Sequence, residues 1–119
     1  MRYLRFYDGD DGESQCEEVE VQMDLVQYAP PAPAIGVSAP VEAARYVMMK
    51  IPEDWAPGLH ASPRRQLFVL LSGGMECETS NGTAITLSPG DMLLMENTRT
   101  KGHTARVSGE TTALMVQLE

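Results

Sequence analysis

The chain holds two histidines, His60 and His103, each standing where a polar loop runs into a strand-like stretch. His60 lies in "LHASPRRQLFVLLSGG" (59–74), six places before Gln66. Imidazole is the side chain whose charge changes near neutral pH, and in its neutral form it is a common metal ligand. Gln66 opens an apolar run, and a buried amide without partners costs roughly 1–3 kcal/mol. An amide at that place therefore needs a polar neighbourhood of its own. Two chemistries stay open on these residues: a metal site, or a polar site built where a metal site would otherwise be.

The elements that must position them are short strands. Residues 3–7 alternate in character, and 8–14 ("DGDDGES") form an acidic, Gly-rich loop. In 17–23, Val19, Val21 and Met23 fall on one side and Glu18, Glu20 and Gln22 on the other. That period of two predicts a half-buried strand at a charged sheet edge. The Pro-rich "APPAPAIG" (29–36) is extended and reads as an arm across a surface. Residues 1–40 are thus expected to be an N-terminal arm with short strands, and 41–119 the barrel. Strands are predicted over 44–51, 66–73, 75–79, 83–88, 92–96, 103–107 and 112–118, with Asn81-Gly82 as a hairpin turn. No stretch sustains a helical period, so the expected architecture is all-β, a barrel or sandwich.

Strand parity sorts the side chains. Gln66, Phe68, Leu70 and Ser72 share one face, and Leu67, Val69 and Leu71 the other. Both faces are apolar beyond Gln66, which predicts a strand buried on both sides. Ala105 and Val107 follow His103 on its face.

The stretch from Trp55 to Gly109 resembles a small single-domain cupin, whose barrel is a jelly roll of two antiparallel sheets. A cupin's first motif runs His, any residue, His, then Glu four places later and Gly seven places after that. His60 and Gly73 match its ends, Ser62 stands for the second His, and Gln66 for the Glu. The second motif runs Pro-Gly-Asp, a strand, a loop and a His. Pro89-Gly90-Asp91 and "MLLME" (92–96) match, and His103 arrives two residues after the usual position, which Lys101 takes. The resemblance covers about half the chain and implies a cupin whose metal-binding motif is degenerate. It speaks to fold, because one fold hosts many functions.

The resemblance also implies a site. Cupins usually offer three imidazoles and a carboxylate to a divalent metal; His60, His103 and Gln66 offer two imidazoles and a neutral amide. That set lacks the carboxylate of a facial triad, although Glu96 lies near in sequence, in parity with Met92 and Leu94. The cofactor expected is none, or a single divalent metal ion held by His60, Gln66 and His103. In the metal-free arrangement one histidine is general base and the other general acid, and the Gln66 amide stabilises a carbonyl or enolate oxygen. The functions weighed are an isomerase, cyclase or lyase acting beside a carbonyl, a metal-dependent dioxygenase or lyase, and a module that only binds a small molecule. Phe68, Trp55, Met48 and Arg64 are the expected substrate-binding residues. For Arg64 a solvated or ion-paired place is favoured, and for Trp55 and the methionines core packing competes.

The whole composition narrows partners. A formal net charge of −8 over 119 residues argues against a nucleic-acid surface. No apolar run approaches about 20 residues, so no membrane span is expected, and "MRYLRFYDGD" does not read as a secretory segment. Cys16 and Cys77 match no metal spacing and read as free thiols of a cytoplasmic protein. The expected partners are a small-molecule ligand and a second copy of the chain, a homodimer with the arm exchanged between copies.

Overall fold

Apolar side chains recur every second residue through most of the chain, and that period can be buried only by strands facing a common interior. The computed structural model describes all residues 1–119, in eleven strands. These are β1 (Arg2–Asp8), β2 (Ser14–Glu20), β3 (Met23–Val26), β4 (Ile35–Ser38), β5 (Arg45–Ile51), β6 (Gln66–Ser72), β7 (Met75–Thr79), β8 (Ala84–Leu87), β9 (Met92–Met95), β10 (His103–Val107) and β11 (Thr111–Gln117). A six-stranded sheet of order β2-β1-β9-β6-β11-β5 faces a three-stranded sheet of order β10-β7-β8, and β3 and β4 pair only with each other. No helix is long and apolar enough to cross a membrane.

The two barrel sheets enclose the core. Phe6, Leu70, Leu87 and Leu93 are its most deeply buried large side chains. Two turns hold the sheets in register. Thr79 Oγ1 donates to Asn81 Oδ1 at 2.6 Å, and Gly82 N–H to the Thr79 carbonyl at 2.8 Å, closing the expected Asn-Gly hairpin between β7 and β8. Gly90 N–H donates to the Leu70 carbonyl at 2.8 Å, and Leu70 N–H to the Asp91 carbonyl at 3.1 Å, so the Pro-Gly-Asp turn is bonded to the middle of β6. Gly73, at φ +81°, lies where any Cβ would overlap the Thr111 side chain, so only glycine fits that place in the first motif.

Three expectations are corrected. The boundary at residue 40 falls too late: β1 and β2 belong to the six-stranded sheet, and Phe6 is fully buried in its core. What projects is the hairpin β3–β4, within which the Pro-rich segment lies, rather than an arm laid across the barrel. The large sheet is not wholly antiparallel, because β1 runs parallel to β9. β6 is buried on one face only: Gln66, Phe68 and Leu70 are buried, Leu67 and Val69 are half-buried and Leu71 is exposed. Parity grouped Gln66, Phe68 and Leu70 on the face that is buried, although Ser72, grouped with them, is exposed; the other face is the outer face of the barrel. The run 17–23 splits between β2 and β3, and β2 lies at a sheet edge as its charges imply.

Candidate functional site

Between the sheets lies a cavity of about 620 Å³, within the size range of small-molecule pockets. Its walls are mainly apolar: Phe68, Met75, Leu93, Met95 and Met115 come from β6, β7, β9 and β11. His60, Ser62, Gln66 and His103 supply polar groups to the same wall. Trp55 and Met48 also line it, and Lys50 joins them from β5. Met48 is 79% exposed and Trp55 38%, so they form the rim.

The histidines meet because their backbones pair. His60 N–H donates to the His103 carbonyl at 3.1 Å, and His103 N–H to the His60 carbonyl at 2.9 Å, an isolated antiparallel bridge. Directly opposed residues point to the same face, and the rings lie 4.8 Å apart between centroids, inclined at 51°. Gly102 makes this approach possible. Its φ is +100°, and a Cβ there would overlap the His60 carbonyl oxygen. The two extra loop residues before His103 therefore do not carry it away from the barrel interior, where it is 4% exposed.

Hydrogen-bond partners fix the two rings in opposite tautomers. His60 Nδ1 lies 2.7 Å from the Gly58 carbonyl. A carbonyl only accepts, so Nδ1 carries the hydrogen and His60 Nε2 keeps a free lone pair. The His103 tautomer is set from four groups away. The Thr100 hydroxyl donates to Asp8 Oδ1 at 2.7 Å, which commits its one hydrogen. The Ser14 hydroxyl, 2.6 Å from Thr100 Oγ1, must then be the donor of that pair. Ser14 Oγ in turn accepts from Gly102 N–H at 3.0 Å and from Asn97 Nδ2 at 3.2 Å. The amide of Asn97 is thereby oriented, and its NH₂ faces His103 Nδ1 at 3.0 Å. His103 Nδ1 accepts, so its hydrogen sits on Nε2. Asn97 Oδ1 is left buried without a partner, a cost of roughly 1–3 kcal/mol that this orientation bears.

Burial, with a smaller contribution from the neighbouring His60, pushes the His103 pKa down to about 4, so His103 is neutral at pH 7. Gln66, 7% exposed, donates weakly from Nε2 to Ser62 Oγ at 3.4 Å, while Ser62 itself donates to the Arg64 carbonyl at 2.7 Å. Gln66 Oε1 has no protein partner and its second N–H is free for a ligand.

These donors do not fit a resident divalent ion. A metal needs a lone pair from each imidazole, and His103 presents N–H at Nε2 while its Nδ1 faces the Asn97 amide. No three His, Cys, Asp or Glu side chains cluster to hold an ion. Glu96 cannot complete the set. Leu93, Met95 and Asn97 point inward, so Glu96 points outward, where its carboxylate accepts from Arg5 Nε at 2.6 Å and Arg65 Nε at 2.7 Å. Burial tends to raise the Glu96 pKa, and the two arginines more than offset it, leaving the carboxyl below its ordinary range.

Of the expected site residues, His60, Gln66, His103, Phe68, Trp55 and Met48 line one cavity. Arg64 does not: its guanidinium reaches toward the C-terminus, 3.4 Å from the Glu119 main-chain oxygen. Ser62 to Arg65 is irregular rather than strand, so parity does not extend back to Arg64. Asp8, Ser14, Asn97 and Thr100 escape sequence reasoning. For Asn97 a signal existed, since it continues the alternation of Leu93 and Met95; for Ser14 and Asp8, about 90 residues away, none did. Cys16 and Cys77 are free thiols, and burial pushes the Cys77 pKa up to about 12, which makes it a poor nucleophile.

The fold is that of a small cupin, an all-β jelly roll. Protein NMB1881 from Neisseria meningitidis superposes with a TM-score of 0.52 at 16% identity, over 62% of this chain and 72% of that one. A cupin-2 domain containing protein from Shewanella frigidimarina superposes with a TM-score of 0.50 at 15% identity, over 62% and 69%. Identities this low show the fold alone. No family model and no curated protein matches the chain.

Proposed function

We propose that this protein is a small-molecule enzyme that moves a proton beside a carbonyl, as an isomerase, cyclase or lyase, without a resident metal. The observation that carries the reading is the opposed tautomer pair. His60 Nε2 has a lone pair to take a proton from carbon, and His103 Nε2–H is a neutral donor for the carbonyl oxygen that gains charge as the proton leaves. A neutral imidazole does this without first losing a proton of its own to solvent, as in enolising enzymes that keep their histidine uncharged. The free N–H of Gln66 supports a second hydrogen bond to the same oxygen. The apolar walls favour a substrate with an apolar body and one or two oxygens.

The test uses benzylacetone, an apolar ketone, in D₂O. Exchange of its α-protons, followed by NMR, is expected to run faster with the protein than in buffer. His60→Ala is expected to lower that excess by at least about 10²-fold, the usual contribution of a positioned base. Exchange that survives His60→Ala unchanged contradicts the assignment. Saturable binding of benzylacetone with no exchange above buffer leaves a binding module in its place.

A further inference from the structure

Large exposed apolar side chains are not scattered over this molecule. Ten of the fourteen lie in residues 23–49, on the β3–β4 hairpin, the turns around it and β5. Scattered apolar residues need no explanation, and a concentration of this kind does. The hairpin has no sheet partner beyond its own two strands, and an isolated two-stranded hairpin is marginal in water. β5, at the end of the large sheet, bonds only to β11, so its other edge is open. An open apolar edge is a template for another strand.

The two surfaces match in three respects. Both are apolar on both faces. In the hairpin, Met23 and Leu25 share one face, and Val26, Ile35 and Val37 the other. On β5, Val47 and Met49 lie on the cavity side with Met115 and Ala113 of β11, while Tyr46 and Met48 lie on the other face beside Leu114 and Val116, along a shallow groove, and Met48 at the open edge also borders the cavity mouth. Both are extended, so a four-residue hairpin strand can pair with the middle of the seven-residue β5. Their charges are opposite: residues 21–43 carry Asp24 and Glu42 and no base, whereas β5 carries Arg45 and Lys50 and no acid. Arg45 has no carboxylate partner within its own chain.

We propose that the β3–β4 hairpin of one copy pairs with the open edge of β5 in a second copy, reciprocally about a two-fold axis, and roofs the second copy's cavity at Met48 and Trp55. The occupant is this chain itself, because the hairpin and the edge it fits are both present once per copy and such an exchange closes as a pair. The 27 residues from 23 to 49 are of the size that an ordinary stable interface needs, roughly 20–30 a side. The interface stands whether or not the histidines move protons, but the cavity is incomplete without it.

Sedimentation equilibrium and light scattering on the full chain are expected to give twice the 13.0 kDa chain mass at micromolar concentration. Leu25→Asp in the hairpin and Tyr46→Asp on β5 are each expected to weaken dimerisation at least tenfold; both side chains are largely exposed in the single chain, 80% and 65%, so its fold tolerates the change. Trp55, the one tryptophan, reports the roof: its emission is expected to shift to the red as the dimer dissociates. A wild-type chain that stays monomeric at 100 µM overturns the proposal, as it would if the hairpin folded onto its own β5. So does a dimer that both variants leave intact, or growth into open-ended assemblies.

Discussion

At the scale of single residues, the chemistry of the site turns on which nitrogen holds a hydrogen. Asn97→Asp replaces the amide facing His103 Nδ1 with a group that only accepts, so the hydrogen moves from Nε2 to Nδ1. The new charge is expected to raise the His103 pKa by about 1–3 units and to free Nε2 for a metal. Nitrogen NMR shifts of the two histidines read both changes. Acid sensitivity follows from His103 as well. Its folded pKa is near 4 and its ordinary value 6.5, so the unfolded chain takes up a proton first as pH falls. The contribution to stability is complete above about pH 6.5, is lost between there and about pH 4, and amounts to on the order of 3 kcal/mol. Denaturation midpoints from pH 7.5 to 4 are expected to fall across that window in the wild type, and to fall less in His103→Gln. His60, Gln66 and His103 are legible in the sequence by type and spacing. Their protonation is not, because it is set by Asp8, Ser14 and Thr100, which only the fold brings near.

At the scale of elements, the strands follow from alternation and turn chemistry: β5 is read from sequence to within one residue, and the Asn81-Gly82 hairpin directly. The β1–β9 parallel pair is not, since pairing between distant strands depends on which faces meet inside the barrel. Gly102 joins element to site. Gly102→Ala forces a Cβ into the His60 carbonyl at a left-handed φ, so the backbone bridge between the histidines must open. The expected cost is about 1–3 kcal/mol of stability, with loss of the α-proton exchange, measured by urea unfolding alongside the NMR assay. Glu96, fixed by Arg5 of β1 and by Arg65 just before β6, ties two strands to the end of β9. Glu96→Gln is expected to cost about 1–2 kcal/mol at pH 7. Because the folded carboxyl titrates below its ordinary value, that difference is present above the ordinary carboxylate range and shrinks as pH falls through the folded pKa.

At the scale of the molecule, the radius of gyration is 15.6 Å, against about 13.5 Å for a compact domain of this length. The excess fits a hairpin held away from the barrel, as do the elongated extents of 50 × 35 × 24 Å. Sequence reading found the Pro-rich segment but not its hairpin, because β3 and β4 are each only four residues long and β3 carries apolar side chains on both faces. The cavity is a property of the whole barrel, and a ligand filling it at a hundred times its dissociation constant is expected to stabilise the fold by about 2.7 kcal/mol. What joins these scales is one claim, that the histidines hold opposite tautomers as base and neutral donor. Two-bond nitrogen–proton correlation NMR on histidine-labelled protein at pH 7 tests it most directly, with a His60→Ala sample to assign the two residues. The account predicts hydrogen on Nδ1 of His60 and on Nε2 of His103. Hydrogen on Nδ1 of His103, with its Nε2 bare as a metal ligand requires, would contradict it.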